Sequence, residues 1–337
     1  MPQYIRKASL LVLKRDSGVG MGMTVAGVRV EAPKDDPTFS EALDLSEMRF
    51  TFRVSNMDEQ EPSNCYVRVF NLSTDTVAKL LKQSNSRLVL QGGYEDSYGV
   101  IFMGDIKQFR TGRINATDTY LDILAADGDL AYAFGFVNQS IEASQTNPAQ
   151  QAESAVAQMN GLGVTMGYNG LQTTGGILPR GKVKVGMARS ILRDLTFGAE
   201  ASWSIQNGKV IIIPLDQYLP GVAVKLSAAT GLIGVPEQTQ DGIRCRCLLN
   251  PKIGVGARVQ IDNASIVQTI DATDFRGVAG TAQRVFNSYT ATQLYPSIAR
   301  DGFYRVYIAE HDGDTRGNEW ETQLTCLAID ASTENVV

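Results

Sequence analysis

Histidine is almost missing from this chain: 337 residues contain one, His311. That excludes a multi-histidine metal centre, and any histidine-based triad or dyad would have to use this residue. Cysteine is scarce too. Cys65, Cys245, Cys247 and Cys326 form no C-x-x-C pair. Cys245 and Cys247 alternate as strand neighbours do, which points both to one face. The spacing argues against a zinc site or disulfide framework and for buried, reduced thiols. No apolar run reaches membrane length. The longest near the N-terminus, residues 8–13, is broken by Lys14 and Arg15 and is too short for a signal-peptide core. The expectation is a chain made in a cytoplasm, without a membrane anchor. Positive charge is not in excess: 31 basic against 36 acidic residues give −5. No global field therefore draws the protein to nucleic acid or an anionic membrane. Proline is low, at 11, while glycine reaches 32, which fits many turns between strands.

The rest is an ordinary globular composition, 43% apolar and 20% charged, long enough for two or three domains. Most of it reads at period two. Met48-Arg49-Phe50-Thr51-Phe52-Arg53-Val54 alternates as a half-buried strand should, and Cys65-Tyr66-Val67-Arg68-Val69-Phe70 follows. Ser73 can cap a short helix with Val77, Leu80 and Leu81 on one side. Residues 88–90, 100–106 and 119–124 read as further strands. A β-barrel or sandwich over residues 1–130 is the expectation.

The middle changes period. Pro148 stands at a first helical position after Asn147, and Ala149, Ala152, Val156 and Met159 recur at helical spacing until Gly161. A second helix is expected over 187–197, with Ile191, Leu192 and Leu195 inward and Gly198 as its stop. Asn207-Gly208 between two apolar runs predicts a tight hairpin, since both turn positions need positive φ. Residues 131–215 thus read as a small α/β module of two helices and a hairpin. Residues 216–337 return to β, with strands at 242–249, 258–261, 303–309 and 320–329. The Ala-, Thr- and Ser-rich stretch 262–300 alternates only weakly and reads as an insertion. The fold class is mainly β, β-rich α+β.

The first and third parts share a pattern. At a constant shift of 203, residues 99–127 match 302–330 at eight of 29 positions, including Arg113 with Arg316, Leu121 with Leu324 and Leu124 with Leu327. The agreement falls on the turn as well as the apolar face, which predicts an internal repeat with Leu121/Leu324 and Leu124/Leu327 in equivalent core positions. A trimer of a chain with two equivalent domains presents six units about one axis and can mate with a true hexamer.

The run Asn64-Cys65-Tyr66-Val67-Arg68-Val69-Phe70-Asn71-Leu72-Ser73 resembles a segment of tailed-phage baseplate hub proteins. Gly92-Gly93-Tyr94, Ile101-Phe102-Met103-Gly104-Asp105-Ile106 and Asp127-Gly128-Asp129 follow in that family's order. Gly302-Phe303-Tyr304 and His311-Asp312-Gly313-Asp314-Thr315-Arg316-Gly317-Asn318 resemble the hubs of long-tailed and Mu-like phages. The resemblance is weakest over 130–185 and 262–300. It implies two tube-protein-like β-barrel domains per chain and a homotrimer forming a pseudo-hexameric ring that continues the tail tube. It further implies an adaptor from sixfold to threefold symmetry within a virion tail. The implied partners are a tail-tube or distal tail hexamer, other tail-tip or spike proteins, the tape-measure protein, and DNA in transit through a channel. VgrG of type VI secretion is a relative whose needle domain has no counterpart in these 337 residues.

Residues with possible chemistry lead elsewhere. Asp312-Gly313-Asp314-Thr315-Arg316-Gly317 starts like a calcium loop but has Arg316 at the fifth position and Gln323 at the twelfth. A polar β-turn is the expectation. Gly18-Val19-Gly20-Met21-Gly22 has no following helix to cradle a phosphate. His311, between Glu310 and Asp312, reads as a turn histidine, with no nucleophile motif nearby. Arg110, Arg113, Arg244, Arg246 and Lys252 are scattered and fit a pore lining or solvated faces. No catalytic, cofactor-binding or metal-ligating set is legible, so no cofactor and no enzyme are expected. The alternatives are a tail-associated cell-wall hydrolase, which needs only two carboxylates, and a hexameric distal tail ring protein. Because a basic lining would hold DNA through counterion release, lumen-facing positions are expected to be net acidic or neutral.

Overall fold

The computed structural model describes residues 5–15, 39–58, 60–82, 86–95, 97–143, 147–173, 180–239, 242–268, 299 and 301–329. The glycine-rich segment 18–22 and most of the insertion expected at 262–300 (residues 269–298 and 300) lie outside them. The first part comprises β1 (Arg6–Arg15), β2 (Phe39–Asp44), β3 (Phe50–Met57), β4 (Asn64–Phe70), α1 (Thr74–Lys82), β5 (Ser86–Tyr94), β6 (Ser97–Arg113) and β7 (Thr119–Ala126). The middle comprises α2 (Asp129–Phe134), β8 (Phe136–Ile141), α3 (Pro148–Ala157), β9 (Thr165–Asn169), β10 (Lys182–Met187), α4 (Ala188–Gly198), β11 (Ala201–Gln206) and β12 (Lys209–Pro214). The last part comprises β13 (Val224–Leu226), β14 (Leu232–Thr239), β15 (Gly242–Leu248), β16 (Arg258–Ile261), β17 (Val267–Gln268), β18 (Phe303–Asp314) and β19 (Trp320–Leu327).

The alternating strands form as their period dictates. In β4, Cys65, Val67 and Val69 are buried; in β15, Ile243, Cys245 and Cys247 are. All four cysteines are free thiols in the apolar interior. Ser73 caps α1 by accepting the Thr76 amide at 3.1 Å. That helix meets the core over a narrow stripe: Leu80 is buried, whereas Leu81, expected inward, is half exposed. Asn147 caps α3 by accepting the Ala149 amide at 2.9 Å, with Pro148 in the first turn. Asn207 and Gly208 both have positive φ, 51° and 73°, and join β11 to β12 as the two-residue turn requires.

One sheet of 14 strands runs through the first and last parts, and its order contains β14-β15-β19-β18-β3-β4-β7-β6-β5-β1-β2. The strand order β3-β4-β7-β6 on one side has the same chain connectivity as β14-β15-β19-β18 on the other. Antiparallel pairing of β18 with β3, from Ile308–Met57 to Asp314–Thr51, joins the two. Each hairpin carries a bulge, between Ile106 and Gln108 on β6 and between Val306 and Ile308 on β18.

Aligning those bulges corrects the shift of 203. The ladders correspond at offsets of 200 for β6 on β18 and 201 for β7 on β19. Leu121 therefore stands opposite Thr322 in this correspondence, and Ile123 opposite Leu324. Leu121 and Leu324 lie on corresponding strands but two rungs apart, and Leu124 is partly exposed. The turns explain the slip. Asn115 opens one turn by accepting the Thr117 amide at 2.9 Å, and Asp314 opens the other by accepting the Arg316 amide at 2.9 Å. The match of Asn115 with Asn318 thus aligned residues with different jobs. On β7 and β19 the slip is two residues and keeps every side chain on its face, so the apolar pattern of those strands could not reveal it; on β6 and β18 it is three and exchanges the faces.

Three main buried clusters follow the chain. One centres on Phe50, Phe52, Leu88, Leu121 and Ile123, one in the middle part on Met159, Leu192, Trp203 and Ile212, and one on Val259, Tyr304, Val306 and Leu324. Arg305 and Asp58 sit where the parts meet. Their buried ion pair is completed by Arg305 donating to the Pro214 carbonyl at 2.9 Å, the Gln217 carbonyl at 3.2 Å and the Ser202 hydroxyl at 2.7 Å. Trp320 closes a second junction. It packs edge-on against Phe52 at 5.4 Å between centroids and donates its indole N–H to the Gly93 carbonyl at 3.3 Å.

Candidate functional surface

The chemistry-bearing residues gather on the face of the eight strands β14-β15-β19-β18-β3-β4-β7-β6 that turns away from the cores. Alternation puts Glu237, Arg244, Arg246, Glu321, Glu310, Asp312, Asp314, Arg49, Arg53, Arg68, Asp122 and Arg110 on this side. Six are acidic and six basic, so the face is neutral by count. Lys252 and Arg113, grouped with these arginines in the sequence, lie outside it, at a loop and at the end of β6.

The charges are paired across the ladder. Arg53 Nε meets Asp312 at 2.7 Å, Arg49 meets Asp314 at 2.7 Å and Arg68 meets Asp122 at 2.7 Å, with Arg246 and Glu321 more loosely at 3.8 Å. In each of these four pairs the acid is the covered member. The arginine side chains are 34 to 70% exposed and the acids 9 to 22%. Hydrogen bonds to the carboxylates hold the Arg49, Arg53 and Arg68 guanidinium pKa values above the usual arginine range. Burial would raise the Asp314 pKa, but bonds from Arg49 and the Arg316 and Gly317 amides outweigh it, and it falls below its usual range. Aromatic rings back these arginines: the Arg49 guanidinium lies 4.8 Å from the Phe70 ring, and that of Arg68 lies 4.4 Å from Tyr120 and 6.0 Å from Tyr66. A concavity of about 590 Å³ lies at one end, lined by Met57, Ile233, Val235, Arg244, Ile308 and Glu310 among others.

His311 is not in a turn. It stands mid-strand on β18, buried, with Nδ1 2.9 Å from the Thr322 hydroxyl, and burial lowers its pKa to about 4. A neutral, enclosed imidazole is a core side chain here. Asp312 and Asp314 do not form a calcium loop either: Asp312 lies within the strand on Arg53, and only Asp314 reaches the turn. Among the described residues no group of three or more His, Cys, Asp or Glu is placed to hold a metal. No described helix is long and apolar enough to cross a membrane. The sequence reading missed the cross-strand pairing. Its one available signal was alternation of Arg with aromatic residues in β3 and β4; the acids come from strands far away in the chain.

No protein-family model matches this chain, and no curated protein matches it by sequence. Solved structures do. A tail protein from Neisseria meningitidis MC58 superposes with a TM-score of 0.53 at 9% identity, over 96% of this chain and 96% of that one. The Francisella PdpA–VgrG complex, half-lidded, gives 0.50 at 7% identity, over 97% of this chain and 58% of that one. The 43 kDa tail protein of prophage MuSo2 from Shewanella oneidensis gives 0.48 at 9%, over 86% and 94%. The chain has a β-rich α+β fold similar to that of the Neisseria tail protein and the PdpA–VgrG complex.

Proposed function

We propose that this protein is a structural, non-enzymatic hub of a phage tail tip or baseplate. Three copies form a pseudo-hexameric ring that continues the tail tube and adapts sixfold to threefold symmetry. The observation that carries this reading is the pair of four-stranded units with the same connectivity, fused edge to edge by β18 and β3. Two equivalent units per chain make six per trimer. On this reading residues 1–130 and 216–337 are the two tube-like barrels, and 131–215 is a module outside the ring wall. The charged sheet face lines a central channel for the tape-measure protein and then DNA. The hexameric tail-tube or distal tail protein lies on one side and the spike or other tip proteins on the other. The protein resides in the virion tail after assembly in the host cytoplasm. Cryo-electron microscopy of assembled particles tests this. Three copies at the tip support it; six copies, as in a distal tail ring, overturn it. Turbidity of a cell-wall suspension checks the enzymatic alternative: no clearing is expected, and lysis by the isolated chain would assign a hydrolase.

A further inference from the structure

The charged face is neutral by count yet cationic by exposure, because in each pair the arginine is more exposed than its acid. We infer that the half built on β3, β4, β7 and β6 is a phosphodiester-contacting wall that takes the backbone of duplex DNA as a transient, salt-labile ligand. The inference rests on the channel reading, since a channel is what brings DNA to this face.

A guanidinium carries five N–H donors. Arg53 engages Asp312 through Nε and remains 70% exposed, so donors are left for a second acceptor. Arg49 lies over the Phe70 ring, and Arg68 lies over the Tyr120 ring and donates to the Tyr66 hydroxyl at 2.9 Å. These ring contacts and the ion pairs to Asp314 and Asp122 hold both side chains in place before any ligand arrives, which lowers the ordering cost of a contact. Register places Arg53, Tyr66, Leu124 and Gln108 in one row across the sheet, and Thr51, Arg68, Asp122 and Arg110 in the next. A broad sheet face offers no projecting element to read base edges, so the contact is to phosphate and blind to sequence.

The covered acids set the strength. Beyond a Debye length of about 8 Å each pair is screened and nearly neutral, so the face exerts little long-range pull. At contact distance the exposed guanidinium meets phosphate before the acid does. Such a wall touches and releases. A wall of unpaired arginines would add counterion release at every contact and hold the duplex.

The experiment is fluorescence anisotropy of a labelled duplex with the full chain at about 20 mM and about 150 mM salt. Arg53→Gln, Arg110→Gln and the double variant are compared, with thermal unfolding as the check on folding. Arg110 is exposed, so its loss tests the proposal even where removing Arg53 disturbs Asp312. Binding at the lower salt, weakened at least tenfold at the higher, is expected. Arg110→Gln should lower the salt slope by about one, and Arg53→Gln by less, because Asp312 already offsets that guanidinium. Absence of binding at low salt, or an unchanged slope in the folded double variant, overturns the inference. Displacement by poly-glutamate as effective as by unlabelled duplex also overturns it and assigns the face to an acidic protein segment. A wrong copy number in particles would instead sink the ring reading while leaving these binding results standing.

Discussion

Replacing Arg305 by methionine should destabilise the protein more than any surface substitution, and the junction shows why. Arg305 and Asp58 are each only 4% exposed at the side chain, so methionine removes the charge that compensates a carboxylate held out of water. Leaving one member of a buried pair uncompensated costs about 3–5 kcal/mol. The carbonyls of Pro214 and Gln217 and the Ser202 hydroxyl also lose their donor. Methionine fills much of the vacated volume, so a cavity adds little. Asp58→Leu should cost a similar amount by stranding the guanidinium. The double variant replaces both charges by apolar groups and should recover most of the loss, because the desolvation penalty disappears with the pair. Urea unfolding followed by tryptophan fluorescence measures all four species. Trp203 reports the middle core, and Trp320 reports where the last part meets Phe52 and Gly93. A coupling energy of at least about 2 kcal/mol is expected. Additive single costs, or a cost below about 1 kcal/mol for Arg305→Met, would refute the view that this pair fastens the three parts of the chain.

Asp127 accepts the Gly208 amide at 2.9 Å, tying the Asn-Gly turn to the first part, and burial pushes its pKa up to about 7. A raised folded pKa contributes stability that is complete below the unfolded value near 4 and lost as pH rises through about 7. Asp127→Asn, which keeps the acceptor, should therefore gain melting temperature over wild type at pH 8 but little at pH 4; an equal difference at both would contradict the assignment. His311 has the opposite sign: its depressed pKa gives stability present above about 6.5 and lost as pH falls through about 4. His311→Gln should flatten that acid limb in a pH series of unfolding midpoints. A Cβ on Gly313 would stand 2.4 Å from the Phe52 ring and 2.8 Å from Trp320. Gly313→Ala should cost about 1–3 kcal/mol by overpacking, read by chemical denaturation.

Local rules were legible where one element decides the outcome. Alternation located β3, β4, β15 and β19, Asn147-Pro148 located the start of α3, and Asn207-Gly208 located its hairpin. Partnering between distant strands was not legible. Register along β7 and β19 depends on turn closure by Asn115 and Asp314, and a two-rung slip leaves the buried face unchanged. His311 read as a turn residue because polar neighbours surround it in sequence. In the fold Asp312 and Asp314 acquire arginine partners on or beside β3, which lets the strand run on to Asp314. The same long-range pairing hid the surface. Arg49 and Arg53 precede their acids by more than 250 residues, so no window of sequence contains both.

The β3–β18 ladder has a consequence for synthesis. During translation β3 leaves the ribosome with β4 to occupy one edge, while the edge that β18 will fill stays bare until some 250 further residues have been made. An open edge recruits any strand that offers itself, and contacts this remote in sequence form late. The sheet cannot be completed on an unfinished chain. Truncated chains therefore carry an unfinished sheet, and the same bare edge makes the interval before β18 emerges the period of greatest exposure to misassembly.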